Sequence, residues 1–210
     1  MKRTCWLGLL AGLLLTAVPA ARADDGWKVV RDKENFQFAR RQVAFSKVDE
    51  VRGVGTFDAS VDRLVAVLSD VEHYPTNMPP TLVSRRLRGG GDEAWYYIEL
   101  KPPMSARRYY CVRYLLKHLG GGAARIEWAL DNQLCPTANG GMLRMEDNAG
   151  AWTLTPIAGG HTRVVYEAHV DPGGAIPASL VNWGTPGAIN DLFAALRRAA
   201  TRGQLTTARN

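Results

Sequence analysis

Between residues 82 and 171 the chain passes through six segments of alternating polar and apolar character, parted by Gly89-Gly90-Gly91, Gly120-Gly121-Gly122, Gly140-Gly141 and Gly159-Gly160. Alternation of period two makes a strand with one wet and one dry face, and paired glycines supply the positive φ that tight hairpins require. A chain punctuated this way folds as an antiparallel meander, because a parallel sheet would need a helical crossover between each pair of strands. The six segments are residues 82–88, 93–101, 107–119, 125–134, 142–156 with a break near Asn148, and 162–171. Residues 27–57 alternate as well, with breaks at 33–35 and 46–49, and predict about three further strands.

Two stretches leave this period. Val61, Leu64, Val65, Leu68 and Val71 stand at helical spacing, with Asp58 or Ser60 placed to cap the first turn and Pro75, Pro79 and Pro80 placed to end it. Residues 177–202 carry Leu180, Trp183, Ile189, Leu192, Phe193 and Leu196 on one helical face, and Gly184, Pro186 and Gly187 predict a kink or a loose first turn there. That long helix needs an apolar partner. The arrangement that supplies one is an α+β fold, a curved antiparallel β-sheet wrapped around the C-terminal helix. No linker or repeat divides the 210 residues, which suit one domain.

Residues 1–3 make a basic start, residues 4–18 are almost wholly apolar, and Ala21-Arg22-Ala23 after Pro19 fit the small-x-small pattern of a signal peptidase site. The expectation is a signal peptide over residues 1–23, cut after Ala23, and a domain over residues 24–210 that is periplasmic or secreted. The apolar run falls short of the roughly 20 residues of a spanning helix. With 26 Lys+Arg against 20 Asp+Glu the formal charge is +6, and loss of Lys2, Arg3 and Arg22 leaves 23 minus 20, or +3. So small an excess, without an RNA-binding motif, argues against nucleic acid; Arg85, Arg86 and Arg88 read as a solvated edge. An oxidising compartment leaves two readings for Cys111 and Cys135, one disulfide or two buried thiols.

Markers of metal, nucleophile and dinucleotide chemistry are missing. His73, His118, His161 and His169 have no ligand spacing; His161 and His169, eight strand residues apart, would stand about 26 Å from each other and read as solvated. No G-x-S-x-G elbow or P-loop occurs, so neither a metal nor a cofactor is expected. Aromatic residues crowd the strands: Trp95, Tyr96, Tyr97, Tyr109, Tyr110, Tyr114, Trp128, Trp152 and Tyr166. They fill an ordinary core or wall a pocket between sheet and helix, and periodicity alone does not choose.

The stretch Asp171-Pro172-Gly173-Gly174-Ala175-Ile176-Pro177, continuing through Leu180-Val181-Asn182-Trp183, resembles the last-strand-to-helix junction of START domains, the steroidogenic acute regulatory protein-related lipid-transfer family. Pro103-Met104-Ser105-Ala106-Arg107, then Tyr109 to Arg113, then Gly150-Ala151-Trp152 leading to Leu154 and Pro156, agree in order. Asp70-Val71-Glu72-His73-Tyr74-Pro75 is similar to the post-helix turn of the wider SRPBCC superfamily, which includes polyketide cyclases and ubiquinone-binding proteins. The resemblance implies a helix-grip fold whose internal hydrophobic cavity holds one lipid, a sterol, hopanoid, phospholipid, fatty acid or quinone, in a monomer that touches a membrane surface transiently. It implies a tunnel wall of Trp128, Trp152, Leu154, Tyr166, Ile189, Leu192 and Leu196 and a polar end of Tyr97, Glu99 and Arg113, and the Gly/Pro interruption at residues 184–187 is expected to make a gate. A cyclase-like enzyme is the alternative. One departure stands out: the family carries Asp after the arginine of the P-M-S-x-R motif, and this chain carries Arg108.

The face that Arg113 occupies depends on register. A two-residue hairpin at Gly121-Gly122 puts Arg113 opposite Leu130 and Leu115 opposite Trp128, inside the tunnel. A one-residue slip puts Arg113 opposite Asp131 and Lys117 opposite Glu127, a solvated face of ion pairs. The first is preferred, since Gly-Gly suits the tight turn and the family places its arginine inside. Under it Cys111 and Cys135 point to opposite faces, and a disulfide is not expected.

Overall fold

A computed structural model describes residues 25–207 other than 34, 103–104, 138–139 and 146, with side chains of the last helix described through Arg202. The expected signal peptide, and Pro103 and Met104 of the motif, lie outside the described residues. The strands are β1 (Lys28–Lys33), β2 (Phe36–Val43), β3 (Ser46–Phe57), β4 (Thr81–Gly90), β5 (Glu93–Leu100), β6 (Arg108–His118), β7 (Ala124–Leu130), β8 (Leu143–Arg144), β9 (Asp147–Pro156) and β10 (Thr162–Asp171). They form one sheet in the order β1-β2-β3-β10-β9-β7-β6-β5-β4, antiparallel between all these neighbours, with β8 set parallel to the start of β6.

Among the described residues three α-helices cover one face: α1 (Val61–Ser69), α2 (Tyr74–Asn77) and α3 (Ala178–Thr207). The helix expected after the first strands is α1, which buries Val61, Leu64, Val67 and Leu68 and is capped by Ser60, whose side chain accepts from the Arg63 amide. Arg63 in turn donates to the carbonyls of Ala199 and Ala200 at 2.8 and 3.0 Å, fastening α1 to α3. On the sheet side α3 lies against β3 at Gly53, where an added Cβ would come within 2.8 Å of Phe193 Cε2. A glycine there lets helix and sheet approach to ring contact, and Phe193 then packs on Phe36 and Phe57 at 4.9 and 5.7 Å between centroids.

The Gly184-Pro186-Gly187 stretch does not end the helix: α3 runs on through Pro186, with the Thr185 hydroxyl donating to the Val181 carbonyl. Nor is its apolar face used along its whole length. Ile189, Phe193 and Leu196 are buried, whereas Leu180 and Trp183, expected on the same covered face, are 55% and 80% exposed. The first turns of α3 are held instead through Asn182, which accepts from the Asp49 amide and donates to the Lys47 carbonyl.

The β6–β7 connection corrects the expected register. The three-glycine stretch Gly120–Gly122 forms a 3-10 turn, and His118 pairs with Ala124, Leu116 with Ile126, Tyr114 with Trp128 and Arg113 with Ala129. This matches neither expected register, but it shares its parity with the solvated one, since residues two apart share a face. Tyr110, Val112, Tyr114 and Leu116 therefore belong to the core side, and Cys111 and Arg113 to the outer side.

The second correction follows at the end of β7. This strand stops at Leu130, not at Leu134, and a 3-10 turn over Asn132–Leu134 folds back across β6. Asp131 donates its amide to the Cys111 carbonyl, and the Asn132 side chain accepts from the Cys111 amide and donates to the Met145 carbonyl. Cys135 arrives over Cys111, and the two form a disulfide with Cα atoms 5.4 Å apart.

Candidate ligand-binding interior

The meander sets one aromatic ring from each of five strands on the face that meets α3: Tyr96 on β5, Tyr114 on β6, Trp128 on β7, Trp152 on β9 and Tyr166 on β10. Their rings touch in series. Centroids lie 5.7 Å apart for Tyr96 and Tyr114, 6.2 Å for Tyr114 and Trp128, 5.5 Å for Trp128 and Tyr166, and 4.6 Å for Tyr166 and Trp152. Trp152 then meets Phe193 of α3 at 5.7 Å, so the series links the sheet to the helix. Gly150 makes room for it, because an added Cβ would lie 2.4 Å from the Glu167 carbonyl oxygen and 2.5 Å from Trp128 Cζ2.

The interior also carries polar atoms. Trp128 Nε1 donates to Asn148 Oδ1 at 2.9 Å, and the Tyr74 hydroxyl donates to the Leu68 carbonyl at 2.6 Å. Tyr110 faces Asn148, and Tyr114 faces Tyr74. Burial holds the hydroxyls of Tyr74, Tyr110, Tyr114 and Tyr166 well above the usual phenol range, so each keeps its proton at any physiological pH. Among the described residues the buried polar side chains are Thr81, Arg108, Asn148, Thr162 and His169, none of them a carboxylate. A cavity of about 20 Å³, room for about one water, reaches the ring series beside Val71, Tyr96, Tyr114 and Ile126.

Of the residues expected to bind a ligand, Trp128, Trp152, Leu154, Tyr166, Ile189 and Leu196 are brought together here in the buried core, with Leu192 half-buried against it. Tyr97, Glu99 and Arg113 are not with them. Strand parity puts all three on the outer face, Tyr97 opposite Cys111, Glu99 opposite Tyr109 and Arg113 opposite Trp95. Arg113 is exposed and paired with Glu93, in a position where water shields most of its charge. The Tyr97 hydroxyl donates to Glu99 Oε1 at 2.8 Å, and burial together with that carboxylate pushes it up to about 12. Lys117 and Glu127, ion-paired in the alternative register, do pair, at 2.5 Å.

Sequence reasoning passed over Tyr74, Tyr110, Tyr114 and Asn148 as polar lining, and Arg108 as a buried cation. The parity of β6 was the signal: whichever face takes Arg113, the other takes Arg108, Tyr110 and Tyr114. His169, expected in solvent, is 7% exposed on the outer face, edge-on to Phe45 and with Nε2 3.1 Å from the Val48 carbonyl oxygen. Beside it a recess of about 470 Å³ is floored by Ala129, Ala149, Gly150 and Ala151. Its charged rim is internally matched, Arg113 with Glu93, Arg125 with Glu127, Glu50 with Arg41 and Glu167 with Arg52. Among the described residues no group of three or more His, Cys, Asp or Glu side chains is placed to hold a metal.

Residues 17–202 match the START domain. The chain belongs to the START domain family. This START domain is 26% identical over 203 residues to an uncharacterised protein of Pseudomonas aeruginosa, covering 96% of this chain and 100% of that one. A STAR-related lipid transfer protein from Xanthomonas axonopodis is similar in structure, with a TM-score of 0.77 and 28% identity over 84% of this chain and 99% of that chain. Human STARD10 shares the fold at a TM-score of 0.77 and 14% identity, over 88% of this chain and 77% of that one. More distantly, the Zhui aromatase/cyclase of a Streptomyces species shares it at a TM-score of 0.52 and 16% identity, over 72% of this chain and 90% of that one. Membership in the START family, with a lipid transfer protein among the structural neighbours, supports the binding of a hydrophobic ligand.

Proposed function

We propose that this protein is an exported lipid carrier that holds one amphiphile between the sheet and α3 and moves it between membranes without altering it. The observation that carries the reading is the five-strand aromatic series beneath α3, apolar along its length and dotted with protonated phenols and an amide. Such a surface binds by partition. Each buried methylene contributes about 0.8 kcal/mol, and a few fixed donors then orient one polar group.

The ring contacts leave little free volume, so uptake spreads the rings and lifts part of α3. The first turns are the part that can move, since Leu180 and Trp183 bury little and Gly184 and Gly187 have open space around them. An exposed tryptophan at that point also suits contact with a bilayer interface.

Export is supported by the apolar leader and by the disulfide, because such bonds persist in oxidising compartments and are rare in the cytosol. The absence of chemistry is supported by the protonation state of the interior. General base catalysis needs a group with a pKa near the working pH, and the interior phenols are pushed the other way. Of Glu99, Arg113 and Tyr166, the residues a cyclase scheme would draw on, Glu99 and Arg113 face away from the ligand space and only Tyr166 lines it.

The test is native mass spectrometry of the mature protein purified from its own export compartment, followed by organic extraction. A stoichiometric lipid, recovered unaltered, is the expected result. Protein that emerges empty and binds none of a panel of sterols, phospholipids, fatty acids and quinones would overturn the carrier reading.

A further inference from the structure

Arg108 opens β6 on the same parity as Tyr110 and Tyr114 and is 1% exposed, the largest fully buried side chain among the described residues. A buried guanidinium calls for a carboxylate. Among the described residues it has none. Nε donates to the Pro172 carbonyl at 3.0 Å, and Nη1 donates to the Ser105 hydroxyl at 2.9 Å and to the Ala106 carbonyl. Nη2 has one long contact, 3.4 Å to the Gly173 carbonyl. Asp171, the acid nearest along this junction, is turned to accept from the Gly173 amide. Four neutral acceptors thus surround a full positive charge, and of the five N–H groups those on Nη2 are the least satisfied.

A glycine packs beside Nη2. Gly174 has φ of +74°, and a Cβ there would lie 3.8 Å from Nη2 and 2.8 Å from Leu143 Cδ1. A side chain at this position would cover the guanidinium. Gly174 is itself exposed and Leu143 is 38% exposed, so the cover beside Nη2, between β8 and the segment that leads into α3, lies at the surface. Burial lowers the affinity of Arg108 for its proton, as uncompensated charge requires, though arginine remains ionised throughout.

We propose that Arg108 is the headgroup-recognition residue of this carrier, its Nη2 edge binding the carboxylate or phosphate of an anionic amphiphile that enters past Gly174. This deepens the carrier reading and rests on it. The anion supplies the counter-charge that no described residue supplies, and a planar guanidinium with under-satisfied donors on one edge is suited to two parallel bonds to an oxyanion. The same residue ties the loop before β6 to the junction before α3, so headgroup binding and the seating of the first turns of α3 act on one side chain.

The experiment compares oleate, oleoyl lysophosphatidate and oleyl alcohol, equal in tail and different in head, by calorimetry on the full mature protein, with acetate and inorganic phosphate as tail-free anions. The wild type is expected to bind oleate or the lysophosphatidate at least about tenfold more tightly than the alcohol, the size of one charge-assisted bond. In Arg108→Gln that ratio falls to about one, and Arg108→Lys retains part of it. Circular dichroism and melting check that each variant folds; the wild-type ratio tests the proposal even where Arg108→Gln does not. Equal binding of acid and alcohol by the wild type would overturn the proposal and leave the carrier reading standing. An unchanged ratio in folded Arg108→Gln, or inorganic phosphate bound as tightly as the lysophosphatidate, would also overturn it. No binding of any oleoyl compound would remove the carrier reading and this proposal together.

Discussion

Reducing the Cys111–Cys135 bond, or replacing both residues by alanine, is expected to destabilise the domain by about 3.5 kcal/mol. The bond closes a loop with a sequence separation of 24. In the chain-entropy account a loop of that length removes about 11.6 cal/mol/K from the unfolded ensemble, or about 3.5 kcal/mol at 25 °C. The native side of the balance should change little. Asn132 keeps the turn against β6 through its bonds to the Cys111 amide and the Met145 carbonyl, neither of which involves sulfur. For a domain of this size, each kcal/mol is worth about 2–4 °C, so the melting temperature should fall by about 7–14 °C. The assay is denaturant unfolding of oxidised, reduced and Cys111→Ala/Cys135→Ala protein, with free thiols counted on the native oxidised sample. Reduced and doubly substituted proteins should share a midpoint below that of the oxidised one and show a larger m-value, since an uncrosslinked chain exposes more surface on unfolding. Coincident midpoints, or two titratable thiols in protein taken from an oxidising compartment, would refute the reasoning.

Three other outcomes follow from the structure. Tyr74, Tyr110, Tyr114 and Tyr166 have raised pKa values in the fold, so their stabilisation is complete below the unfolded phenol pKa of about 10 and is lost as pH rises through the folded values. Stability measured by urea titration should therefore drop steeply above pH 10, by up to about 1.4 kcal/mol per pH unit for each of these tyrosines, and a flat profile to pH 12 would contradict their burial. Gly150→Ala should cost about 2–4 kcal/mol and alter the near-ultraviolet dichroism of Trp128, because its Cβ would meet the Glu167 carbonyl oxygen at 2.4 Å; wild-type stability would show that this packing is wrong. Trp183→Ser should shift stability by less than about 0.5 kcal/mol, its ring being 80% exposed, yet slow lipid exchange between vesicles; an unaltered exchange rate would exclude this residue from membrane contact.

The architecture was legible because each glycine cluster marks a change of direction and each apolar alternation marks a dry face; Gly120–Gly122 and Gly159, at positive or turn φ, stand between the strands as expected. What sequence could not supply was the number of residues a turn consumes. The Gly120–Gly122 turn takes one geometry rather than another, and that difference of a single step moved Arg113 from the ligand space to the outer face and brought Tyr110 and Tyr114 in. The disulfide was hidden for a related reason. Nothing in the period-two pattern of residues 125–134 shows that Asp131 leaves the strand, yet only that departure lets Cys135 turn back over Cys111. Leu180 and Trp183 obeyed helical period and still remained in solvent, because a periodic face is an offer of burial that the sheet takes up only from Ile189 onward.

The register shift also redistributes charge in a way that bears on selectivity. With Arg113 paired to Glu93 outside, every outer-face arginine along β6 and β7 has a carboxylate partner, and water screens what remains. Inside, the same strand begins with an arginine that has no such partner among the described residues and continues with two phenols that hold their protons. The interior of β6 is therefore a row of donors, charged at the Gly174 end and neutral beyond it. A ligand that matches this row presents an acceptor at its head and, farther in, either hydrocarbon against the rings or a carbonyl within reach of a phenol or Asn148. Esterified lipids with an anionic head and fatty acids meet both conditions, and a sterol with one hydroxyl meets only the second. The preference expected for an anionic head over a lone hydroxyl is thus set by the parity of one strand, which places Arg108 inside and Arg113 outside.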